Sequence, residues 1–221
     1  EVTISPDRGL FLGSTRRLHP DVNAFISPAF YERRLSTHPA TAPRVVSGAG
    51  ELGGSGIRWW PVAHEGNAAR STEEAEEVAG IVASLVGRRW TESDATSRPI
   101  EVDDIIVVAP YNAQVAEIQA ALDRRIGRPG NVGTVDRFQG REGIVAIYST
   151  ASSSRDDAPR DMGFLYSRNR LNVAVSRAKS LAIVVASPNL LEAGCRTPEQ
   201  MRLVDALCRY VEVAAKQAGA G

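Results

Sequence analysis

Two arginines, Arg170 and Arg177, stand seven residues apart in RLNVAVSRAKS (170–180), a stretch otherwise apolar enough to pack against a core. A guanidinium stays charged at any physiological pH and presents a planar fork of donors that matches phosphate and carboxylate oxygens. On a helix, positions seven apart return to within ~20° of the same azimuth and lie ~10 Å apart along the axis. The spacing therefore predicts a helix with Arg170, Ala174 and Arg177 on one stripe. Leu171, Val175 and Ala178 would form a buried stripe, and Asn172, Ser176 and Lys179 a polar one. A plainer reading stands beside it: Lys179, and Arg177 in part, answer the negative end of a helix dipole.

Two further segments carry groups suited to phosphate chemistry. VVAPYNAQ (107–114) takes a strand to Pro110 and starts a helix near Asn112, whose free N–H groups favour a phosphate. Tyr111 and Asn112 could add a stacking ring and a hydrogen-bonding amide to a nucleic-acid backbone. The same residues also read as a tyrosine at a strand end and an asparagine helix cap. In GTVDRFQGREG (133–143), Thr134 ends a short strand, and Gln139-Gly140 forms a tight turn where glycine lets the backbone approach closely. Arg141 and Glu142 then project, so an amide, a cation and a carboxylate stand where nucleotide and polymer can be sensed together. The alternative is a solvated loop with a weak Arg–Glu pair.

The elements that must position these groups follow from periodicity. IRWWPVA (57–63), DIIVVAP (104–110), NVGTV, GIVAIYST and SLAIVVAS read as strands, the second a continuous apolar run covered on both faces. STEEAEEVAGIVASLVGRRW (71–90) reads as a helix with Ser71 and Glu74 as a capping box and Arg88 and Arg89 at its far end. NAQVAEIQAALDRRIG (112–127) reads as a helix packed through Val115, Ile118, Leu122 and Ile126 and stopped by Gly127. Ser187 caps before Pro188, and TPEQ opens a last helix, with Thr197 as cap and Gln200 closing the box, that buries Val204, Cys208 and Val211 to about Lys216. SGAGELGGSG (47–56) and TESDATSRP (91–99) read as loops, and no internal repeat is present. Strands alternating with helices predict an α/β fold with a mostly parallel, helix-covered sheet, whose ligands gather at the carboxyl ends of its strands.

Composition narrows the function classes. Lys and Arg number 26, as do Asp and Glu, so no global charge draws nucleic acid, which leaves any attraction to a local basic groove. Cys195 and Cys208 fit neither a disulfide framework nor a metal motif, and with no signal peptide they point to a reducing, cytoplasmic setting. No apolar run reaches the ~20 residues of a membrane span. His19, His38 and His64 have no metal partner at sensible spacing, so no metal site is expected. Trp59 and Trp60 are neighbours on a strand and face opposite sides, so they cannot make one stacking platform. Arg33 and Arg34 read as a solvated helix end. The opening EVTISPDRG, without Met, suggests a piece of a longer chain.

Taken together, VVAPYNAQ, GTVDRFQGREG and GFLYSRNRLNVAVSRAK resemble, in order and spacing, motifs IV, V and VI of superfamily 1 helicases. They are most similar to the 5′-to-3′ subgroup that includes the nonsense-mediated-decay helicase and the replication nuclease-helicases. STRRLHPDVNAFISPAFYERRL (14–35) resembles that subgroup's QYRMHP…FYEGKL segment. The resemblance implies a RecA-like α/β domain, the second of two that flank ATP. Residues 1–56 would carry the first arginine motif and a helix within the same domain as 57–221. It implies Arg17 and Arg177 as arginine fingers toward the γ-phosphate, with Arg16, Gln139, Gly140 and Glu142 on the ATP side. Pro110, Tyr111, Asn112, Thr134 and Arg141 would face single-stranded DNA or RNA. ATP and Mg2+ would be held mainly by an N-terminal RecA-like domain of the same polypeptide.

Three departures qualify the carry-over: Arg16 replaces a tyrosine that stacks on adenine, Ser176 a threonine, and Ile144 an acidic residue. No G-x-x-x-x-G-K-[ST] occurs, and Asp103 and Asp104 precede their strand instead of ending it, so this chain alone is expected to be inactive. The alternative is a non-catalytic RecA-like binding or scaffold module.

Overall fold

The computed structural model describes residues 9–138 and 140–219; Gln139, one of the expected ATP-side residues, lies outside them. The chain begins with β1 (Ser14–Thr15), α1 (Pro20–Phe30), β2 (Ser36–Thr37), β3 (Val45–Val46) and β4 (Gly56–Pro61). It continues through α2 (Thr72–Leu85), β5 (Arg89–Thr91), β6 (Ser97–Pro99), β7 (Ile105–Val108) and α3 (Asn112–Ile126). Then come β8 (Asn131–Gly133), β9 (Gly143–Ser149), α4 (Met162–Leu165), α5 (Arg168–Val175), β10 (Ala178–Ala186) and α6 (Pro198–Ala218).

Five of these strands form one parallel sheet in the order β4-β10-β9-β7-β8, with β9 and β10 at its centre. Period-two alternation divides their side chains between two cores. Ile106, Val108, Ala146, Tyr148, Ala182 and Val184 meet apolar residues of α1, α5 and α6 on one face. Ile105, Val107, Val145, Ile147, Leu181, Ile183 and Val185 meet those of α2 and α3 on the other. This is the parallel, helix-covered α/β sheet that the alternation of strands and helices predicted. Trp59 and Trp60 pack on opposite cores, as neighbours on a strand must.

The helix ends show local rules at work. α1 starts with Pro20 in its first turn, where a missing N–H costs nothing, and His19 Nδ1 accepts from the Asp21 N–H at 3.1 Å. α3 ends where Gly127 adopts φ 70°, as expected. Among the described residues no helix is long and apolar enough to cross a membrane.

Several expectations are corrected. The helix from 71 stops at Leu85; Arg88 still answers it, Nε donating to Ser84 O at 2.8 Å, but Arg89 and Trp90 belong to β5. Residues 91–99 are no loop, because β5 and β6 pair antiparallel and join β3 in a small sheet. Buried Trp90 anchors that sheet, its Nε1 donating to Ser180 Oγ at 2.8 Å. In α6 the buried stripe is Val204, Leu207, Tyr210 and Ala214, which leaves Cys208 and Val211 half-buried. Thr197 caps α6 as expected, yet Gln200 reaches one residue further back, to the Arg196 N–H at 2.8 Å. Ser71 caps α2 by accepting from the Glu74 N–H at 3.0 Å, but Glu74 turns inward instead of closing the box.

Candidate functional site

The segment of the two arginines is not one continuous helix. α5 ends at Val175, Ser176 sits at φ −75°, ψ 0°, and Ala178 already pairs with Gly143 as the start of β10. Pairing with β9 completes a buried ladder and wins over another helical turn. Arg170 and Arg177 therefore share no helical stripe. Arg177 occupies the tight connection from helix to strand, where Nε donates to Val173 O at 2.9 Å and Nη1 to Arg141 O at 3.2 Å. It does answer the end of α5, as the plainer reading held, while its guanidinium lies half-buried at the amino edge of the sheet. Burial, and then the nearby charge of Arg17, pull its pKa below the usual arginine value.

Arg17 reaches this edge from far away in sequence. The His19 N–H donates to Lys179 O at 2.9 Å, which docks the strand-to-helix turn of 16–19 beside the start of β10. Arg44 clamps the same turn, donating from Nη1 to the carbonyls of Arg16 and Arg17, each at 2.9 Å, and from Nε to Glu92 at 2.7 Å. Held there, Arg17 donates from Nε to Glu142 Oε2 at 2.8 Å and from Nη1 to Ser176 O at 3.3 Å. Lys179 Nζ lies 3.0 Å from Glu142 Oε1. Burial would raise the Glu142 pKa, but the hydrogen bonds and charges of Arg17 and Lys179 outweigh it and hold the carboxyl below its usual range.

Two glycines make this approach feasible. Gly143 donates its N–H to Arg177 O at 3.0 Å, and a Cβ there would sit 2.7 Å from Asp104 O. Gly140 turns the chain at φ 83°, a conformation that costs other residues ~1–2 kcal/mol. The result is an open groove edged by Thr15, Arg16, Arg17, Glu142, Ser176 and Arg177.

Four of the residues expected to face nucleic acid lie at the opposite, carboxyl edge, about 20 Å away by the rise of six strand residues. Pro110, Tyr111 and Asn112 follow β7, and Thr134 follows β8. Asn112 opens α3, and Tyr111 takes the cap position without a side-chain cap bond. Tyr111 is buried and stacked on Phe164, centroids 5.3 Å apart, so its ring is covered; burial raises its pKa. Its hydroxyl lies by Ser152 without meeting hydrogen-bond geometry there. Arg141 is exposed near the amino edge, on Arg177's side instead of Tyr111's. A 3-10 turn (Val135–Phe138) and α5 run side by side between the two edges.

Sequence reasoning missed Arg44, the role of Lys179, and a buried network around Glu74. Glu74 is fully buried and accepts from Ser149 Oγ at 2.6 Å, Thr150 Oγ1 at 3.1 Å and the Ala151 N–H at 3.0 Å. His64 Nε2 lies 3.0 Å from it, and His64 Nδ1 lies 2.7 Å from Ser153 Oγ. A glutamate inside an apolar helical stripe was the available signal, masked by its plausible capping role. Among the described residues no three or more His, Cys, Asp or Glu are gathered to hold a metal.

The chain is similar to known proteins over most of its length. A family model described as an AAA domain (AAA_12) matches residues 5–189. Human 3'-5' exoribonuclease HELZ2 is 33% identical over 215 residues, covering 84% of this chain and 7% of that protein. The DNA polymerase alpha-associated DNA helicase A of Schizosaccharomyces pombe is 28% identical over 191 residues, covering 82% of this chain and 28% of its own length. The Drosophila melanogaster Regulator of nonsense transcripts 1 homolog is 29% identical over 188 residues, covering 79% and 15%. The chain thus spans well under a third of each of these relatives. With the family model matched over most of its length, the chain belongs to the AAA_12 family of AAA domains, of the superfamily 1 helicase type.

Proposed function

We propose that this chain is the second motor domain of an ATP-dependent DNA or RNA helicase or translocase. The observation that carries the reading is the charge at the amino edge, where Arg17, Arg177 and Lys179 gather around a single carboxylate, Glu142. Three cations against one acid, with Arg177 lacking an ion pair among the described residues, make an edge suited to a polyanion from outside the domain. A triphosphate fits that edge. Mg2+ does not, since both Glu142 oxygens are already taken by cations. We assign Mg2+ and most ATP contacts to a first RecA-like domain elsewhere in the polypeptide.

When bound, ATP would supply the transferred γ-phosphoryl group and Mg2+ would offset its negative charge. This chain's part is to present Arg17 and Arg177 to the charge that develops there, an effect of about 10³ to 10⁵ in rate where such a finger acts. Arg16, Gly140 and Glu142 line the nucleotide side. Pro110, Tyr111, Asn112 and Thr134 serve single-stranded nucleic acid at the other edge, whereas Arg141 stands near the amino edge, on Arg177's side. Residues 1–56 and 57–221 act as one unit, because the turn of 16–19 is docked on β10.

ATP hydrolysis tests the proposal when this chain is compared with the longer polypeptide, each with and without single-stranded nucleic acid. Turnover by the longer polypeptide alone is the expected result. Nucleic-acid-stimulated hydrolysis by the 221 residues, or none by either, would overturn it.

A further inference from the structure

At the carboxyl edge, one aromatic ring collects two guanidiniums. Phe164 lies on the short helix α4, whose cap Asp161 is committed to the Phe164 N–H at 2.8 Å. The Arg170 guanidinium carbon sits 3.8 Å from the Phe164 ring centroid and that of Arg160 sits 4.3 Å from it, while Tyr111 stacks on the same ring. Cation–π contact orients a guanidinium without neutralising it. Neither Arg160 nor Arg170 makes an ion pair among the described residues. Asp136 lines the same groove as Arg170 but stands outside ion-pair distance of it. That groove runs along α5 from Ser167 and Arg170 to Val173 and Arg177.

We propose that Arg160 and Arg170, held over the Phe164 ring, take backbone phosphates of a single strand of nucleic acid, with Phe164 and Tyr111 as positioning residues. The proposal deepens the nucleic-acid part of the function above and rests on it. Two oriented, uncompensated cations near the free N–H groups at the start of α3 form a cationic track for backbone phosphates. Because the ring is covered by Tyr111 and the two arginines, no base stacks on it, and the contact reads the backbone without regard to sequence. Arg170 thus sits at the polymer end of α5, and Arg177 at the nucleotide end just beyond it.

The test is binding of the 221-residue chain to a fluorescein-labelled oligo(dT) and an oligo(U) across a salt series. Arg160→Ala/Arg170→Ala is expected to weaken binding about tenfold or more and to lower the log–log salt slope by ~1.4, two phosphate contacts on a single strand. Phe164→Leu, which keeps an apolar plug over Tyr111, is expected to weaken binding while both charges remain. Arg170→Lys should restore the slope lost in Arg170→Ala without full affinity. Arg202→Ala, at an exposed position of α6, is the control and should change nothing; circular dichroism reports that each variant is folded. If the double variant binds with wild-type affinity and slope, the arginine pair is refuted while the wider nucleic-acid reading stands. If the wild-type chain shows no salt-dependent binding, both fall.

Discussion

Arg17 and Glu142 are 125 residues apart in sequence, yet Arg17 Nε meets Glu142 Oε2 at 2.8 Å, on an edge that Arg177 and Lys179 also share. The bond ties the turn after β1 to the turn before β9, and it places one candidate finger within reach of the connection that carries the other. Glu142, expected on the ATP side, is a strut between two cations.

Replacing Glu142 by Gln keeps its shape and removes its charge. The Arg17 and Glu142 side chains are 30% and 41% exposed, so the stability loss should stay within about 1 kcal/mol. The carboxyl is held below its unfolded value, so its contribution is complete above about pH 4.3 and fades as the pH falls through the lower folded pKa. Thermal melts of wild type and Glu142→Gln should therefore differ at pH 6 and converge at the acid end. An equal gap at both would contradict the pairing.

Glu74 holds the carboxyl end of β9 to the start of α2 from inside the protein. Glu74→Ala would leave Ser149, Thr150, His64 and the Ala151 N–H without their acceptor, at a cost on the order of 3 kcal/mol in urea unfolding. Glu74→Gln, which preserves one acceptor, should cost less. A neutral Ala variant would show that the network contributes nothing.

Gly143→Ala should destabilise by about 1–3 kcal/mol, since its Cβ would meet the Asp104 carbonyl, a backbone atom that cannot swing aside. Gly194→Ala, with nothing within 4 Å of the added Cβ, is the matched control for urea melts. Equal stability of the two variants would refute the close approach at the start of β9.

The sheet was legible because its central strands are continuous apolar runs, and α3 because its stripe and its glycine stop agree. The turn from α5 into β10 was not, since RLNVAVSRAK satisfies helical spacing to its end; only pairing of Ala178 with Gly143, distant in sequence, stops the helix early. The hairpin of β5 and β6 was hidden for a similar reason, because its residues are polar and the signal lies in the docking of Trp90 on Ser180. At the site, the identities of Arg17, Glu142 and Arg177 stood out in the sequence, whereas the Arg44 clamp and the Phe164 shelf depend on contacts no local pattern encodes.

The most direct test of the central claim is ATP turnover in the longer polypeptide carrying Arg17→Ala or Arg177→Ala, with nucleotide affinity measured alongside. Arg177 also bonds the end of α5, so Arg177→Lys serves as a companion that keeps a charge and loses the fork. The account predicts turnover reduced about 10³-fold or more in each alanine variant, with ATP affinity little changed. Turnover within about threefold of wild type in both would contradict the arginine-finger assignment.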